Sequence, residues 1–177
     1  TMNFEAGQIS KVPLPCRYEK RNQVIELARS CVNESKADWD TFEVSWEFKQ
    51  HPLAGGNTMG RLIEDKYKEW EKECDERFNQ LKANEEELNR IFIEIYGLQE
   101  ELIPDVEDKD VTVRKAELQR DIKSLLSYAV GCMFGRYSLD VEGLAYAGGA
   151  WDSSKYVSFL PDQDNIIPIT DEEYLED

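Results

Sequence analysis

The chain contains 177 residues, with 21 basic and 37 acidic side chains and a formal net charge of -16 at pH 7. A hydrophobic fraction of 41% and an aromatic fraction of 11% are too high for a disordered acidic tail. No apolar run approaches the ~18 residues that a membrane span needs, and no signal segment opens the chain. Composition therefore indicates a folded acidic protein, for which we expect a cytoplasmic location and reduced cysteines.

The charge is unevenly distributed along the chain. The net charge is -1 for residues 1–56, -6 for 57–103, zero for 104–136 and -9 for 137–177. Because affinity for nucleic acids depends on neutralising phosphates with Lys and Arg, only residues 104–136 suggest a DNA-backbone contact. The candidate side chains are Arg114, Lys115, Arg120, Lys123 and Arg136.

The first third of the chain predicts an extended start followed by short helices. Residues 3–18 mix apolar residues with Gly and Pro, which is typical of an extended or looping segment. Residues 21–35 carry apolar side chains at helical spacing. Residues 38–48 favour a short helix slightly over a strand, and residues 54–57 predict a flexible joint.

Two long amphipathic helices are predicted in the middle of the chain. Over residues 58–96, apolar residues recur in steps of three and four with no Pro or Gly after Gly60, and Gly97 stands where a C-terminal cap belongs. A second helix is expected from a cap at Asp110 or Thr112 to about Phe134. Since the connection between the two is short, we expect an antiparallel pair.

The predicted fold class is mainly α, with a long antiparallel helix pair, a shorter N-terminal helical segment and an irregular, aromatic-rich C-terminal cap. We divide the chain into residues 1–56, a helical hairpin at 57–136 and an acidic cap at 137–177. Thr170 and Glu173 fit a capping box, so the chain stops about one turn into a predicted helix. This predicts a piece of a longer protein.

Sequence motifs for catalysis and for cofactor or metal binding are missing. His51 is the one histidine and precedes Pro52, which favours a structural role over a catalytic one. The four cysteines form no C-x-x-C pair, so we expect no metal site. The segment Asp162–Asn165 resembles the start of a calcium loop but lacks the downstream Gly and Glu, which favours a simple turn.

Four residues suggest docking of another domain or subunit. Gly131 and Gly135 lie four residues apart on an apolar helical face, which allows another backbone to approach closely, although tight packing within the domain explains them better. Trp39 and Trp46 lie in the predicted short helix. We also expect Arg136 to pair with Asp140 across the turn that ends the helix.

Long runs of this sequence resemble a family of DNA-modifying enzymes. The runs ELNRIFIEIYGL (Glu87–Leu98), EDKDVTVRKAELQRDIKSLLSYAVGCMFGRYSLD (Glu107–Asp140) and DNIIPI (Asp164–Ile169) closely resemble PglX-like adenine-specific DNA methyltransferases of bacterial BREX phage-defence systems. The segments Asn3–Pro15 and Asp38–Leu53 also look like this family, and related restriction-modification methyltransferases carry similar runs.

The resemblance implies a parent enzyme that transfers a methyl group from S-adenosylmethionine to adenine N6, with the base extruded from the duplex. The family's N-P-P-[YF] and cofactor motifs lie upstream, and this sequence contains no Asn-Pro dipeptide. No catalytic or cofactor-binding residue is therefore carried over, and we expect no cofactor within this segment.

The resulting hypothesis is a non-catalytic helical spacer that links the methyltransferase part to a C-terminal recognition part. Its expected partners are the rest of that chain, DNA through the parent enzyme and other defence-system subunits, with no membrane. The alternative is an acidic interaction module that binds another defence-system subunit. An autonomous enzyme is disfavoured because no nucleophile, base or metal set converges in the sequence.

Overall fold

A computed structural model describes residues 7, 10, 11, 18–55 and 62–162, apart from the Tyr18 side chain. Within these ranges it contains three α-helices and no β-strand: α1 spans Tyr18–Trp39, α2 Ile63–Tyr96 and α3 Leu118–Met133. A single 3-10 turn covers Ser153–Lys155. The predicted mainly α fold class, with its long helix pair and an N-terminal helix, is confirmed. No helix in the described ranges is long and apolar enough to cross a membrane.

Helix α2 has 34 residues and is therefore about 51 Å long. It ends as the sequence predicts, because Gly97 adopts a left-handed conformation with a φ of 70°. The N–H of Leu98 donates to the Ile93 carbonyl at 2.9 Å, and the N–H of Gly97 donates to the Glu94 carbonyl at 3.2 Å. These two bonds form a Schellman motif, which satisfies carbonyls that the helix end would leave without partners.

The chain is organised into two compact units, each made of two separate stretches of sequence. Unit 1 comprises residues 1–36 and 76–114, and unit 2 comprises residues 37–75 and 115–177. Helix α2 contributes its first part to unit 2 and its second part to unit 1.

In unit 1, α1 lies antiparallel to the second part of α2. The antiparallel direction follows from three side-chain pairs. As the residue number increases along α1, the number of its partner on α2 decreases. The pairs are Lys20 with Glu94, Gln23 with Glu87 at 3.1 Å, and Ser30 with Asn84 at 2.9 Å. These contacts are polar. The apolar packing of unit 1 includes Ile91, which is 1% exposed, and a small cluster around Phe78 and Leu81.

That cluster contains Phe78, Leu81, Val111 and Val113, with Cys31 and Val106 packed against it. Val111 and Val113 are buried while Thr112 between them is exposed, which is the alternation of an extended segment rather than of a helix. The predicted helix cap at Asp110 or Thr112 is therefore wrong.

Helix α3 begins later, at Leu118, with Glu117 as its cap. The Glu117 carboxylate accepts hydrogen bonds from the backbone N–H groups of Gln119 at 3.1 Å and Arg120 at 2.8 Å. It thus satisfies two of the amide groups that the first turn leaves free, and its charge favours the positive end of the helix dipole.

Unit 2 has an aromatic core. The rings of Tyr128 and Tyr137 stack with centroids 5.0 Å apart, and Phe48 meets both edge-on. A neighbouring cluster of Leu53, Trp70 and Cys74 packs against partly buried side chains, namely Tyr67, Ala116, Ile122 and Leu125. This second cluster joins α3 to the first part of α2.

The remaining segments of unit 2 are irregular. Residues 40–47 form successive turns instead of the short helix that the sequence favours, with backbone bonds that span three residues. Beyond α3, turns and bends prevail up to residue 162, where the Trp151 and Tyr156 rings stack at 4.7 Å. The predicted helix start at Thr170, residues 163–165 of the calcium-loop resemblance and most of the predicted extended start lie outside the described residues.

Candidate functional site

The five predicted DNA-contacting residues are not equivalent. Arg114 belongs to unit 1 and the other four to unit 2. Arg114, Lys115, Lys123 and Arg136 are exposed. Arg120 is only partly exposed, because its Nε donates to Asp121 at 2.8 Å and its Nη2 donates to the Lys115 carbonyl at 2.9 Å. Its guanidinium therefore serves the structure of unit 2.

The partner of Arg120 is the centre of a buried polar network. Asp121 is 6% exposed, and its Oδ2 accepts hydrogen bonds from Trp70 Nε1 at 3.1 Å and from the Glu117 N–H at 3.0 Å. The carboxylate thus ties α2, the α3 cap and Arg120 together. A buried carboxylate with three donors has its hydrogen-bonding capacity largely used, which fits a structural role.

His51 is likewise structural. Its side chain is buried, lies 6.0 Å from the Tyr128 ring and accepts a hydrogen bond on Nδ1 from the Leu53 N–H at 3.2 Å. Burial lowers the pKa of His51 to about 4, against the opposing influence of the Asp121 charge. The imidazole is therefore neutral at pH 7, and one of its nitrogens is occupied by the backbone of the turn that follows it.

The two predicted docking glycines make room for aromatic rings of their own unit. A Cβ on Gly131 would lie 2.6 Å from the Tyr137 ring, and one on Gly135 would lie 2.8 Å from Trp151. Gly135 also has a φ of +74° and ends α3, with the Arg136 N–H donating to the Gly131 carbonyl at 2.8 Å. These contacts account for both glycines by packing within unit 2.

The carboxylate of Asp140, which the sequence pairs with Arg136, is hydrogen-bonded to residues 157 and 158. Its carboxylate accepts hydrogen bonds from the N–H groups of Val157 at 2.7 Å and Ser158 at 2.9 Å, and from the Ser158 hydroxyl. These bonds, led by that of the Ser158 side chain, hold the pKa of Asp140 below its usual range. Asp140 thus fixes the course of the chain around residues 157–158.

The two predicted docking tryptophans differ in exposure. Trp39, in the last turn of α1, is 53% exposed, whereas Trp46 is fully exposed at 100%. Trp46 lies on a groove of about 450 Å³, which we call the Trp46 groove. Its lining residues are Glu43, Val44, Ser45, Trp46, Phe48, Arg136, Tyr137, Gly143 and Leu144.

Glu43 is the residue of this groove that sequence reasoning missed. One carboxylate oxygen, Oε2, accepts a hydrogen bond from the Tyr137 hydroxyl at 3.4 Å. The other, Oε1, is buried and has no hydrogen-bond partner. Nothing in the sequence distinguishes Glu43 from the other 36 acidic residues, because its burial depends on Tyr137, which lies 94 residues further along.

A second cavity, of about 500 Å³, lies beyond α3. Aromatic and apolar side chains line most of it, together with Ser153 and Asp162: Phe134, Tyr146, Trp151, Tyr156, Leu160 and Pro161. Trp151 meets Tyr146 edge-on at 5.2 Å and stacks on Tyr156, whose hydroxyl donates to the Gly135 carbonyl. The rings are therefore held in place by one another and by the end of α3.

The surroundings of one thiol and two phenols keep these side chains protonated and therefore weakly nucleophilic. Burial raises the pKa of the Cys132 thiol, of the Tyr128 phenol and of the Tyr137 phenol, so all three are protonated at pH 7. Within residues 18–55 and 62–162, no group of His, Cys, Asp and Glu side chains could hold a metal ion. In these ranges the geometry offers surfaces for binding.

Comparison with known proteins relates the chain to much longer enzymes. No family model matches it. The whole chain is 52% identical, over 180 aligned residues, to the adenine-specific methyltransferase PglX of Lacticaseibacillus casei (strain Zhang). It is 33% identical, over 205 residues, to the adenine-specific methyltransferase BrxX of Escherichia coli O9:H4 (strain HS). The chain spans 15% and 16% of the lengths of these two proteins. The predicted resemblance to PglX is confirmed and extends over the entire chain.

Proposed function

We propose that this chain, which is similar along its whole length to a segment of PglX-type adenine-specific methyltransferases, is a non-catalytic helical spacer. In this proposal the parent enzyme methylates adenine N6 in DNA with S-adenosylmethionine during phage defence. The segment links its methyltransferase part to a C-terminal recognition part. The chemistry lies in the rest of the enzyme, so this segment is inactive alone and contains no cofactor site.

Helix α2 is the observation that supports this proposal most directly. A helix satisfies its backbone hydrogen bonds internally and has a length set by its residue count, so 34 uninterrupted residues make a suitable spacer. The second support is chemical. The one histidine is buried with a pKa of about 4, and burial keeps the Cys132 thiol protonated.

The decisive experiment introduces a helix break into the full-length methyltransferase. Asp75 is exposed in the middle of α2, so Asp75→Pro breaks the helix at a cost of about 3 kcal/mol, whereas Asp75→Ala leaves it continuous. We expect Asp75→Pro to lower adenine methylation of plasmid DNA by about tenfold or more, which corresponds to 1.4 kcal/mol. We expect the affinity for S-adenosylmethionine, measured by calorimetry, to match that of Asp75→Ala.

Two results would contradict the spacer proposal. Wild-type methylation by Asp75→Pro would show that the parent enzyme does not need a continuous α2. A parallel loss of cofactor affinity would place part of the cofactor site in this segment. Calorimetry of the 177-residue chain with S-adenosylmethionine provides the matching direct measurement, in which we expect no binding.

Contact with the DNA backbone is a separate part of the proposal. Lys115 and Lys123 are candidates because their side chains are exposed, whereas Arg120 is only partly exposed. For the full-length enzyme, we expect Lys115→Ala with Lys123→Ala to reduce the slope of log affinity against log salt by about 2. An unchanged slope would exclude these two contacts. Arg114→Ala with Lys115→Ala tests the neighbouring pair in the same way.

The alternative function, an acidic module that binds another defence-system subunit, is favoured by the full exposure of Trp46 and by the charge of -9 on residues 137–177. A pull-down of the system's other subunits with this chain distinguishes the two functions. The spacer proposal expects none of them to be retained. Retention that is lost on Trp46→Ala would support the interaction module.

A further inference from the structure

We propose that the Trp46 groove holds an extended polypeptide segment from the part of the methyltransferase that lies outside these 177 residues. This inference rests on the proposed function, because it takes the chain to be one part of a longer enzyme. It goes further by naming the surface of contact, the chemistry of the segment that fills it and the residues that recognise it.

The apolar part of the groove combines a buried floor with an exposed apolar rim, as binding sites often do. Phe48 and Tyr137 form a buried floor, and each belongs to the aromatic core of unit 2. Trp46, Val44 and Leu144 line the same groove with exposed fractions of 100%, 69% and 56%. A preformed floor with a large aromatic side chain at its edge is typical of a site where a partner's apolar side chain inserts.

The polar part of the groove includes a carboxylate with one oxygen that has no hydrogen-bond partner. Glu43 Oε1 is buried without a hydrogen-bond partner, and such an atom costs free energy until a donor reaches it. Arg136 lines the same groove, is exposed and lies 5.7 Å above the Tyr137 ring. The lining of the groove thus includes a carboxylate with one unpartnered oxygen and a cationic donor, beside an apolar rim.

A polypeptide backbone matches this combination. Its N–H can donate to the Glu43 carboxylate once that group turns toward the groove, its carbonyl can accept from Arg136, and its side chain can cover Trp46. A nucleic acid matches less well, because its phosphates would meet the Glu43 carboxylate as well as Arg136, in a chain with a net charge of -16. Charge and hydrogen bonding together therefore favour a polypeptide.

The length of the related enzymes indicates where this segment comes from. The chain spans only 15% of PglX and 16% of BrxX, so most of a protein of that size lies outside it. A segment of the same chain is present at a high effective concentration, and it can therefore occupy a groove of modest area.

Hydroxyl-radical footprinting of the full-length methyltransferase tests this proposal at single residues. Trp39 and Trp46 both belong to unit 2, with exposed fractions of 53% and 100%. If the groove is open, Trp46 should oxidise about twice as fast as Trp39. If a segment fills it, we expect the ratio of the two rates to fall to about 0.5 or less, since a packed interface excludes water. Trp151, which is 50% exposed, provides a second reference.

A pair of variants tests the recognition by Glu43. Glu43→Ala removes the acceptor, so we expect the Trp46 to Trp39 ratio to rise at least twofold toward its open value. Glu47→Ala removes an exposed carboxylate that does not line the groove, and it should leave the ratio unchanged. An effect of equal size in both variants would overturn the role of Glu43.

Other outcomes identify other occupants and overturn the proposal. A ratio near 2 without DNA that falls only when duplex DNA is added would assign the groove to nucleic acid. A ratio near 2 in both conditions would show that the enzyme does not cover the groove. Because footprinting measures shielding and the Asp75→Pro experiment measures methylation, failure of this inference can be distinguished from failure of the spacer proposal.

Discussion

Units 1 and 2 are stabilised by different kinds of interaction, although α2 contributes to both. In unit 1, α1 meets α2 through two exposed polar pairs and one pair with a buried member, Asn84, and a small, mainly aliphatic cluster around Leu81 contributes apolar packing. In unit 2, aromatic rings stack on one another, and buried polar groups such as Asp121 and His51 accept defined hydrogen bonds.

This difference shows how one chain can combine contacts that tolerate substitution with contacts that do not. Exposed polar pairs contribute little and are screened by salt, so the two exposed pairs between α1 and α2 should tolerate substitution. Buried polar networks cost much when one member is lost, because the remaining groups stay buried without partners. Unit 2 should therefore be the more sensitive of the two to single substitutions, and it is also the unit that carries the Trp46 groove.

The largest effect is expected for Asp121→Ala. The substitution leaves Trp70 Nε1 and the Glu117 N–H without their acceptor and removes the partner of Arg120, so the free energy of unfolding should fall by about 4 kcal/mol. Urea unfolding measures this loss. The isosteric Asp121→Asn keeps the shape and one acceptor and should lose less than half as much. Equal losses would mean that the charge of the carboxylate, rather than its shape or the one acceptor that Asn keeps, accounts for the stability at this position.

Leu81→Ala tests unit 1 at its most buried leucine, which is 1% exposed. Removing this side chain should lower the free energy of unfolding by about 3 kcal/mol, because lost burial is combined with a cavity. Hydrogen exchange should rise most at amides of residues 76–96. Leu126→Ala, at a 60% exposed position on α3, is the control and should cost less than 1 kcal/mol. A larger loss for Leu126→Ala would contradict the assignment of the core.

His51 should make unit 2 sensitive to acid. Its pKa is about 4 in the folded state and near 6.5 when unfolded, so between these values the unfolded chain binds more protons. Stability from this group is complete above pH 6.5 and is lost as the pH falls toward 4, with a loss of about 2 kcal/mol at pH 5.

The variant His51→Asn isolates this effect, because Asn retains an acceptor for the Leu53 N–H but does not titrate. The difference in stability between wild type and variant should shrink as the pH falls from 7.5 to 5. A difference that is constant with pH would mean that the His51 pKa is not lowered in the folded chain.

The smallest effect is expected for the ion pair between Lys20 and Glu94 in unit 1. Both side chains are more than one third exposed, so Lys20→Ala should lower the free energy of unfolding by less than about 1 kcal/mol. The loss should diminish further between 0.05 and about 1 M salt, where the Debye length falls to about 3 Å. If Lys20→Ala lowered the free energy of unfolding as much as Asp121→Ala, the two units would not differ in their sensitivity to substitution.

The sequence predicts the parts of the fold that depend on the local spacing of apolar residues. Helix α2 was expected at residues 58–96 and is observed at Ile63–Tyr96, because its apolar spacing is uninterrupted and Gly97 provides a clear stop. The start of α3 was missed for a physical reason. Val113 fits both a helical stripe and an extended segment, and only its burial with Val111 against Phe78 and Leu81 decides between the two.

The candidate site was less predictable, because it depends on contacts between distant positions. The sequence identified Trp46 and Arg136, but it gave no sign that both line one groove with Glu43. It also grouped Arg120 with the DNA-contacting candidates, although the adjacent Asp121 holds its guanidinium in the structure. Pairwise contacts of this kind leave no periodic signal in a single sequence.

The full exposure of Trp46 has a consequence for how the chain behaves in concentrated solution. A net charge of -16 makes molecules repel one another at low ionic strength, which keeps the apolar rim of one molecule away from the next. Salt shortens the range of that repulsion to about 8 Å at physiological ionic strength while leaving the apolar attraction intact. The colloidal stability of the chain therefore depends on its acidic surface, and salting-out should begin at the indole ring of Trp46.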